Sequence, residues 1–315
     1  MTARPTILCP VDFSDASRDA LCYARLIAEH FGGRLILLTV EDPLLTEAVQ
    51  LAKGVSWNAD ETRHELARFA AHALHGDPLR GVDVAFEVAV GNPAKQILHM
   101  ARQQAAALIV MSTHGLTGAR KLFFGSTTER VLRETTIPVL ATPGNSARPR
   151  TLDDVRRVIG RILVPVDLSH PSKHHVRIAA GLAKALGVPL VVTHVVEPVR
   201  SPLAARLHLP SIELERRARA EDTLTKLVAG LPGDVHADAL VGYGDPAEEI
   251  SKIARDRRAG LIVIGLHGSP MLGARMGSVT YRSLCLSAGL VLAIPPDTWA
   301  AVTAESTVTS ELAHS

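Results

Sequence analysis

Aromatic side chains are scarce: Phe, Tyr and Trp together make 3% of the 315 residues. Any core must therefore be packed from Ala, Val, Leu and Ile, and with 47% hydrophobic residues there are enough to bury two sizeable ones. A dominant charge is also missing. The net charge is +2 and no block of Lys or Arg stands out, so a dedicated nucleic-acid surface is not expected. No apolar run approaches the ~18 residues of a membrane span, so no membrane attachment is expected. The opening Met-Thr-Ala-Arg-Pro enters strand-like sequence at once, so no signal peptide is expected. Cysteine is limited to Cys9, Cys22 and Cys285, an odd number in apolar segments, which suits buried thiols in a reducing cytosol better than a redox role. Signatures of catalysis are missing too. No lysine follows Gly125 or Gly277 as a P-loop needs, and neither a kinase set nor a Gly-x-Ser-x-Gly elbow occurs. His114 and His267 have no second and third ligand at metal spacing, so a structural hydrogen bond is the expected role of each and no metal site is assigned.

What the chain does contain is a repeated loop. Ser112-Thr-His-Gly115, nine residues (Leu116 to Phe124) and Gly125-Ser126 follow the apolar run Ala107 to Met111. Gly265-Leu-His-Gly268, eight residues (Ser269 to Met276) and Gly277-Ser278 follow Leu261 to Ile264. A glycine-bearing loop between a strand and a helix brings backbone N–H groups up to a phosphate, where the helix N-terminus favours negative charge. Other segments repeat as well: Leu8-Cys-Pro-Val-Asp12-Phe-Ser14 matches Leu163-Val-Pro-Val-Asp167-Leu-Ser169, and Gly91-Asn-Pro-Ala matches Gly244-Asp-Pro-Ala. The repeat is about one domain long, so two similar domains are expected rather than a solenoid.

Each half alternates short strands with helical patterns. In the first half, Thr6 to Val11, Arg34 to Val40, Val82 to Val90, Ala107 to Ser112 and Ile137 to Thr142 read as strands. Leu21, Ala24, Ala28 and Phe31 form a helical stripe that ends at Gly32-Gly33, and Leu66, Phe69, Ala73 and Leu74 form the next. In the second half the strands are expected near Arg161 to Val166, Val188 to Val196, Val235 to Val241, Leu261 to Gly265 and Gly289 to Ile294. Near-continuous apolar strands joined by helices imply an α/β fold: two doubly wound, Rossmann-like domains, each a five-stranded parallel sheet flanked by helices, in the flavodoxin-like order 2-1-3-4-5 or the related and here expected order 3-2-1-4-5. The expected division is domain 1 at 1–146, a linker at 147–158, domain 2 at 159–297 and a polar tail at 298–315. Strands one and four are neighbours in that order, so Asp12 and the loop from Ser112 to Ser126 share one crevice.

These residues resemble the universal stress protein family in its tandem form. Nucleotide-binding members of that family are similar in carrying an Asp at the end of strand one and Gly-x-x-Gly, nine residues, Gly-Ser/Thr after strand four. The resemblance implies binding of ATP or AMP, with or without magnesium, a cytoplasmic stress or regulatory role serving an unidentified protein partner, and homodimers formed through the last strand. It implies no established reaction. Carried over position by position, it makes Pro10, Val11, Asp12, Val40, Ser112, His114, Gly115, Gly125, Ser126 and Thr127 the expected nucleotide site, with Val40 bordering the adenine. Asp167, Val195, Gly265, Gly268, Gly277, Ser278 and Val279 form a second candidate site.

The two halves depart from the signature differently. The first keeps the spacing of nine but has Ser112 in place of the first glycine, a strain cost if the turn needs φ > 0. The second keeps Gly265 and Gly268, but its loop gains two residues before Gly273-Ala-Arg275 and loses three after it, relative to Gly118-Ala-Arg120. The first half is therefore expected to hold the better-formed site. Structural roles compete with these assignments. Ser126-Thr-Thr-Glu129 reads as a capping box, Asp12 is able to cap the helix starting near Asp15, and His174-His175 reads as a solvated helix face. Arg120 and Arg275 either reach a terminal phosphate or stay exposed. Three functional classes stay open: a nucleotide-sensing regulatory module, a slow ATPase, and a scaffold that binds no nucleotide.

Overall fold

The computed structural model describes residues 4–44, 47, 51, 58–74, 81–113, 125–144, 148–169, 172–198, 210–266 and 277–296. The chain divides into two compact units, Met1–Val155 and Arg156–Ser315. Unit 1 runs β1 (Thr6–Pro10), α1 (Asp15–His30), β2 (Arg34–Glu41), α2 (Ala59–Ala73), β3 (Asp83–Val90), α3 (Pro93–Gln103), β4 (Ala106–Ser112), α4 (Ser126–Glu134) and β5 (Val139–Thr142). A helix, α5 (Leu152–Ile159), occupies part of the stretch expected as a linker. Unit 2 repeats the pattern as β6 (Ile162–Pro165), α6 (Ser172–Leu186), β7 (Leu190–Val196), α7 (Pro210–Ala229), β8 (Ala237–Tyr243), α8 (Pro246–Asp256), β9 (Leu261–Gly265), α9 (Ser278–Leu286) and β10 (Leu290–Ile294). The expected tail, 298–315, lies outside the described residues.

Within unit 1 the strand order is β3-β2-β1-β4-β5, and within unit 2 it is β8-β7-β6-β9-β10, which is 3-2-1-4-5 in each. Every pairing inside the units is parallel. Register aligns the two units residue by residue. Pro10 pairs with Leu38 and Pro165 with Thr193, so Leu38, Thr39 and Val40 correspond to Thr193, His194 and Val195.

Local chemistry accounts for the element ends. Ser14 caps α1 by accepting from Ser17 N, and Gly32 at φ 57° stops it, leaving Phe31 57% exposed rather than in the core stripe. The repeated Gly-Asn/Asp-Pro is a turn followed by a helix start. Gly91 and Gly244 sit at φ 137° and 138°, a region closed to residues with a Cβ, while Asn92 and Asp245 cap α3 and α8 and Pro93 and Pro246 open them.

The core of unit 1 is aliphatic, with Leu8, Leu35, Leu37, Ile109 and Val139 fully buried and Tyr23 the largest buried side chain. Burial raises the Cys9 and Cys22 thiols, the second helped by Asp19, so both stay protonated and are poor nucleophiles. Asp19, although buried, is paired with Arg148, whose Nε lies 2.6 Å from its carboxylate and ties the segment after β5 back to α1.

The units differ on the helix layer beside the first turn of α1 and α6. In unit 1, Phe69 of α2 meets Phe13 edge to face at 5.4 Å, and the Arg18 guanidinium lies 5.2 Å from the Phe69 ring. In unit 2 Leu168 and Lys173 stand where unit 1 has Phe13 and Arg18, and a groove of about 710 Å³, lined among others by Leu168, Lys173 and Thr223, opens between α6 and α7. This groove runs along the helix layer, from Leu168 and Ser169 past Lys184 to Gly230 and Val235. Phe69→Ala is expected to destabilise unit 1 by about 2 kcal/mol, below the range for a fully buried ring because Phe69 is half-buried. Urea unfolding checks this; an unchanged midpoint would show that the ring cluster contributes nothing.

Candidate functional site

Because β1 and β4 pair directly, their carboxyl ends open onto one crevice at the point where the strand order reverses. A cavity of about 280 Å³ sits there, lined by Pro10, Val11, Asp12, Val40, Ser112, Gly125, Ser126 and Thr127, with Ser17 and Thr128 beside them. Asp12 lies two residues past β1 and is exposed. Its Oδ1 accepts from Ser14 N at 3.1 Å and Ser14 Oγ at 2.5 Å, so the carboxylate braces the residue that caps α1 instead of capping the helix itself. Between them Phe13 is held at φ 62°, a conformation unfavourable for a bulky residue.

Ser112, the last residue of β4, is not among the positive-φ positions, so serine here carries none of the strain a left-handed turn would impose. Its carbonyl accepts from Thr128 Oγ1 at 2.8 Å, and Gly125 N donates to Thr113 O at 2.9 Å; together these bonds lock the start of α4 against the end of β4. The N-cap of α4 is Gly125, with no side-chain capping bond. The capping box expected at Ser126 is therefore not formed: Ser126 is the first helical residue, and Glu129 pairs with Arg133 at 2.8 Å. The helix start is left to present backbone N–H groups, the arrangement that attracts anions.

Unit 2 repeats this design with different walls. A cavity of about 330 Å³ is lined by Asp167, Val195, Gly265, Gly277, Ser278 and Val279. Leu168 is also at φ 62°. Asp167 Oδ1 accepts from Ser169 N at 2.9 Å, from Ser169 Oγ at 2.5 Å and from Ser172 Oγ. Thr280 Oγ1 donates to the Gly265 carbonyl at 3.1 Å, the counterpart of the Thr128 lock, and Gly277 caps α9 without a side-chain bond.

A sequence model described as the universal stress protein family matches residues 4–143 and 159–284. The chain belongs to the universal stress protein family. It carries two such domains in tandem. Universal stress protein MJ0577 of Methanocaldococcus jannaschii is 29% identical over 148 residues, 42% of this chain and 91% of that protein. Universal stress protein MJ0531 of the same organism is 32% identical over 140 residues, 42% of this chain and 79% of that protein. Among solved structures, a universal stress protein from Archaeoglobus fulgidus covers 92% of this chain and 96% of its own, with a TM-score of 0.61 at 20% identity, a likeness of fold.

Every candidate residue that the sequence singled out in the two expected sites of this tandem universal stress protein, and that the structure describes, lines one of the two cavities. His114, Gly115, Arg120, His267, Gly268 and Arg275 lie outside the described residues. Among the described residues, no group of three or more His, Cys, Asp and Glu is placed to hold a metal ion, and no helix is long and apolar enough to cross a membrane.

The second cavity also contains residues the sequence reading missed. His174-His175 was expected on a solvated face, but His175 is 4% exposed and lines the cavity because the first turn of α6 packs over the end of β6. His194 lines it as well, with Nδ1 2.8 Å from the Val166 carbonyl. Alignment by register would have exposed both, because His175 replaces Ala20 and His194 replaces Thr39.

Proposed function

We propose that this tandem universal stress protein is a cytoplasmic, stress-linked regulatory module that binds an adenine nucleotide, ATP or AMP, with the better-formed site in unit 1. The observation that carries this reading is the shared cavity: the Asp12 carboxylate on one side faces the uncapped start of α4 on the other. A carboxylate accepts from ribose hydroxyls, an aliphatic strand end at Val40 covers a base, and bare helix N–H groups take phosphate. The left-handed Phe13 supports the same reading, since backbone strain of about 1 to 3 kcal/mol is tolerated where it positions a functional group. Magnesium, when ATP is the ligand, enters on the phosphate oxygens.

Calorimetric titration of the purified chain with ATP and with AMP tests the reading. Saturable heat with at least one equivalent bound per chain is expected. No heat with either nucleotide, with and without magnesium, would leave the scaffold alternative.

A further inference from the structure

The two cavities share a plan, and their chemistry differs most along the wall formed by the second strand and the first helix of each unit. Where unit 1 has Leu38, Thr39 and Ala20, unit 2 has Thr193, His194 and His175. All three unit 2 residues line its cavity, whereas of the unit 1 trio only Leu38 lines the first. Thr193 Oγ1 donates to the Leu240 carbonyl at 2.9 Å, and the two imidazoles are titratable groups that the unit 1 positions lack.

The Val166 carbonyl can only accept, so His194 Nδ1 carries hydrogen and the neutral ring keeps its lone pair on Nε2. Such a ring meets an anionic oxygen well only after Nε2 gains a proton from solvent. Among the described residues, the other titratable groups lining the cavity are Asp167 past the end of β6, His175 on α6 and Glu197 after β7. From α8 come Pro246 and Ile250, and from α9 Ser278 and Thr280, all uncharged. Protonation of any of the four titratable groups makes the cavity more positive, so all favour an anion in the same direction. Asp12 is the one titratable side chain among the described residues lining the first cavity.

We propose that His175 and His194 are ligand-binding residues that make the second cavity a proton-linked site for phosphate-bearing ligands. It fills as the pH falls from about 8 to about 6, more steeply than the first cavity does. The proposal rests on the reading above that these cavities take nucleotide phosphates.

The test is calorimetric titration with ATP of two full-length variants, Asp12→Ala to isolate the second cavity and Asp167→Ala to isolate the first. Each is titrated at about pH 6 and about pH 8, in two buffers of different protonation enthalpy. Comparing the two sites cancels the protonation of ATP itself. Affinity at the second cavity is expected to rise about fivefold to tenfold relative to the first on acidification, with net proton uptake. A ratio independent of pH overturns the proposal. Absence of binding in Asp12→Ala at both pH values also overturns it, while binding retained in Asp167→Ala leaves the first site standing. Absence of binding in both variants and in the unmodified chain defeats the two readings together.

His175→Ala combined with His194→Thr, which installs the unit 1 residues, is expected to flatten the response; a response that persists contradicts the assignment. Should that variant lose its cooperative melt, histidine ring signals in the NMR spectrum of the unmodified chain decide. Two of them are expected to titrate at higher pH with ATP present, and unchanged midpoints overturn the proposal.

Discussion

Asp12→Ala is expected to raise the Kd for ATP at the first cavity about tenfold to hundredfold, the equivalent of ~1.5 to 3 kcal/mol for hydrogen bonds to a charged group. The change removes the one lining carboxylate among the described residues while leaving Val40 and the start of α4 in place. The measurement is made in the Asp167→Ala background, so that only one cavity reports. Asp12 also braces Ser14 through two hydrogen bonds, so the melting temperature and circular dichroism must accompany the titration. Asp12→Asn keeps an acceptor for Ser14 and separates the two roles. If charge at the ligand matters, it weakens binding with little change in melting. Unchanged affinity in both variants, with folding intact, would remove Asp12 from the site.

The largest expected effect on stability lies elsewhere, at Gly260. A Cβ placed there would stand 1.9 Å from the Val158 carbonyl oxygen and 2.9 Å from that of Ile159. Both are backbone atoms that cannot rotate away. Gly260 N donates to Ile159 O at 2.8 Å and its carbonyl accepts from Leu290 N at 2.9 Å, so the residue is fixed where β9 and β10 begin. Gly289 leaves no slack either, since a Cβ there would lie 2.7 Å from Gly260 O. Gly260→Val is expected to destabilise unit 2 by on the order of 3 kcal/mol or more, the scale of severe overpacking. Denaturant unfolding should show an early transition for unit 2 with that of unit 1 unchanged. A midpoint equal to that of the unmodified chain would contradict the close approach.

Those two positions mark the boundary of what sequence alone discloses. The strands and the pair of similar units were legible because they are periodic and repeated: apolar runs of strand length, and matching segments at offsets of 155 (Asp12 and Asp167) and 153 (Gly91 and Gly244). Ser126 misled because a capping box is a pattern of four residues, whereas the helix began one residue earlier, at a glycine cap. His175 was misread because two adjacent histidines resemble a solvated helix surface; its burial follows from the packing of α6 over β6, which no local pattern encodes. The Phe13, Phe69 and Arg18 cluster joins residues from two helices and a turn, and its loss in unit 2 becomes visible only when the units are aligned in space. Gly260 carries no signature of its own in the sequence, and only the carbonyl beside it shows why no side chain fits.

The central claim is that the crevice between β1 and β4 holds an adenine nucleotide. Its most direct test is to denature the purified chain, identify any released nucleotide by mass spectrometry and count it per chain, for the unmodified protein and for Asp12→Ala. Loading the chains with excess ATP and removing free nucleotide by gel filtration beforehand puts both on the same footing. The account predicts ATP or AMP at about one per chain or more in the unmodified protein, and a loss of about one equivalent in Asp12→Ala. No adenine nucleotide from the loaded, unmodified chain, or equal amounts from the two proteins, would contradict it.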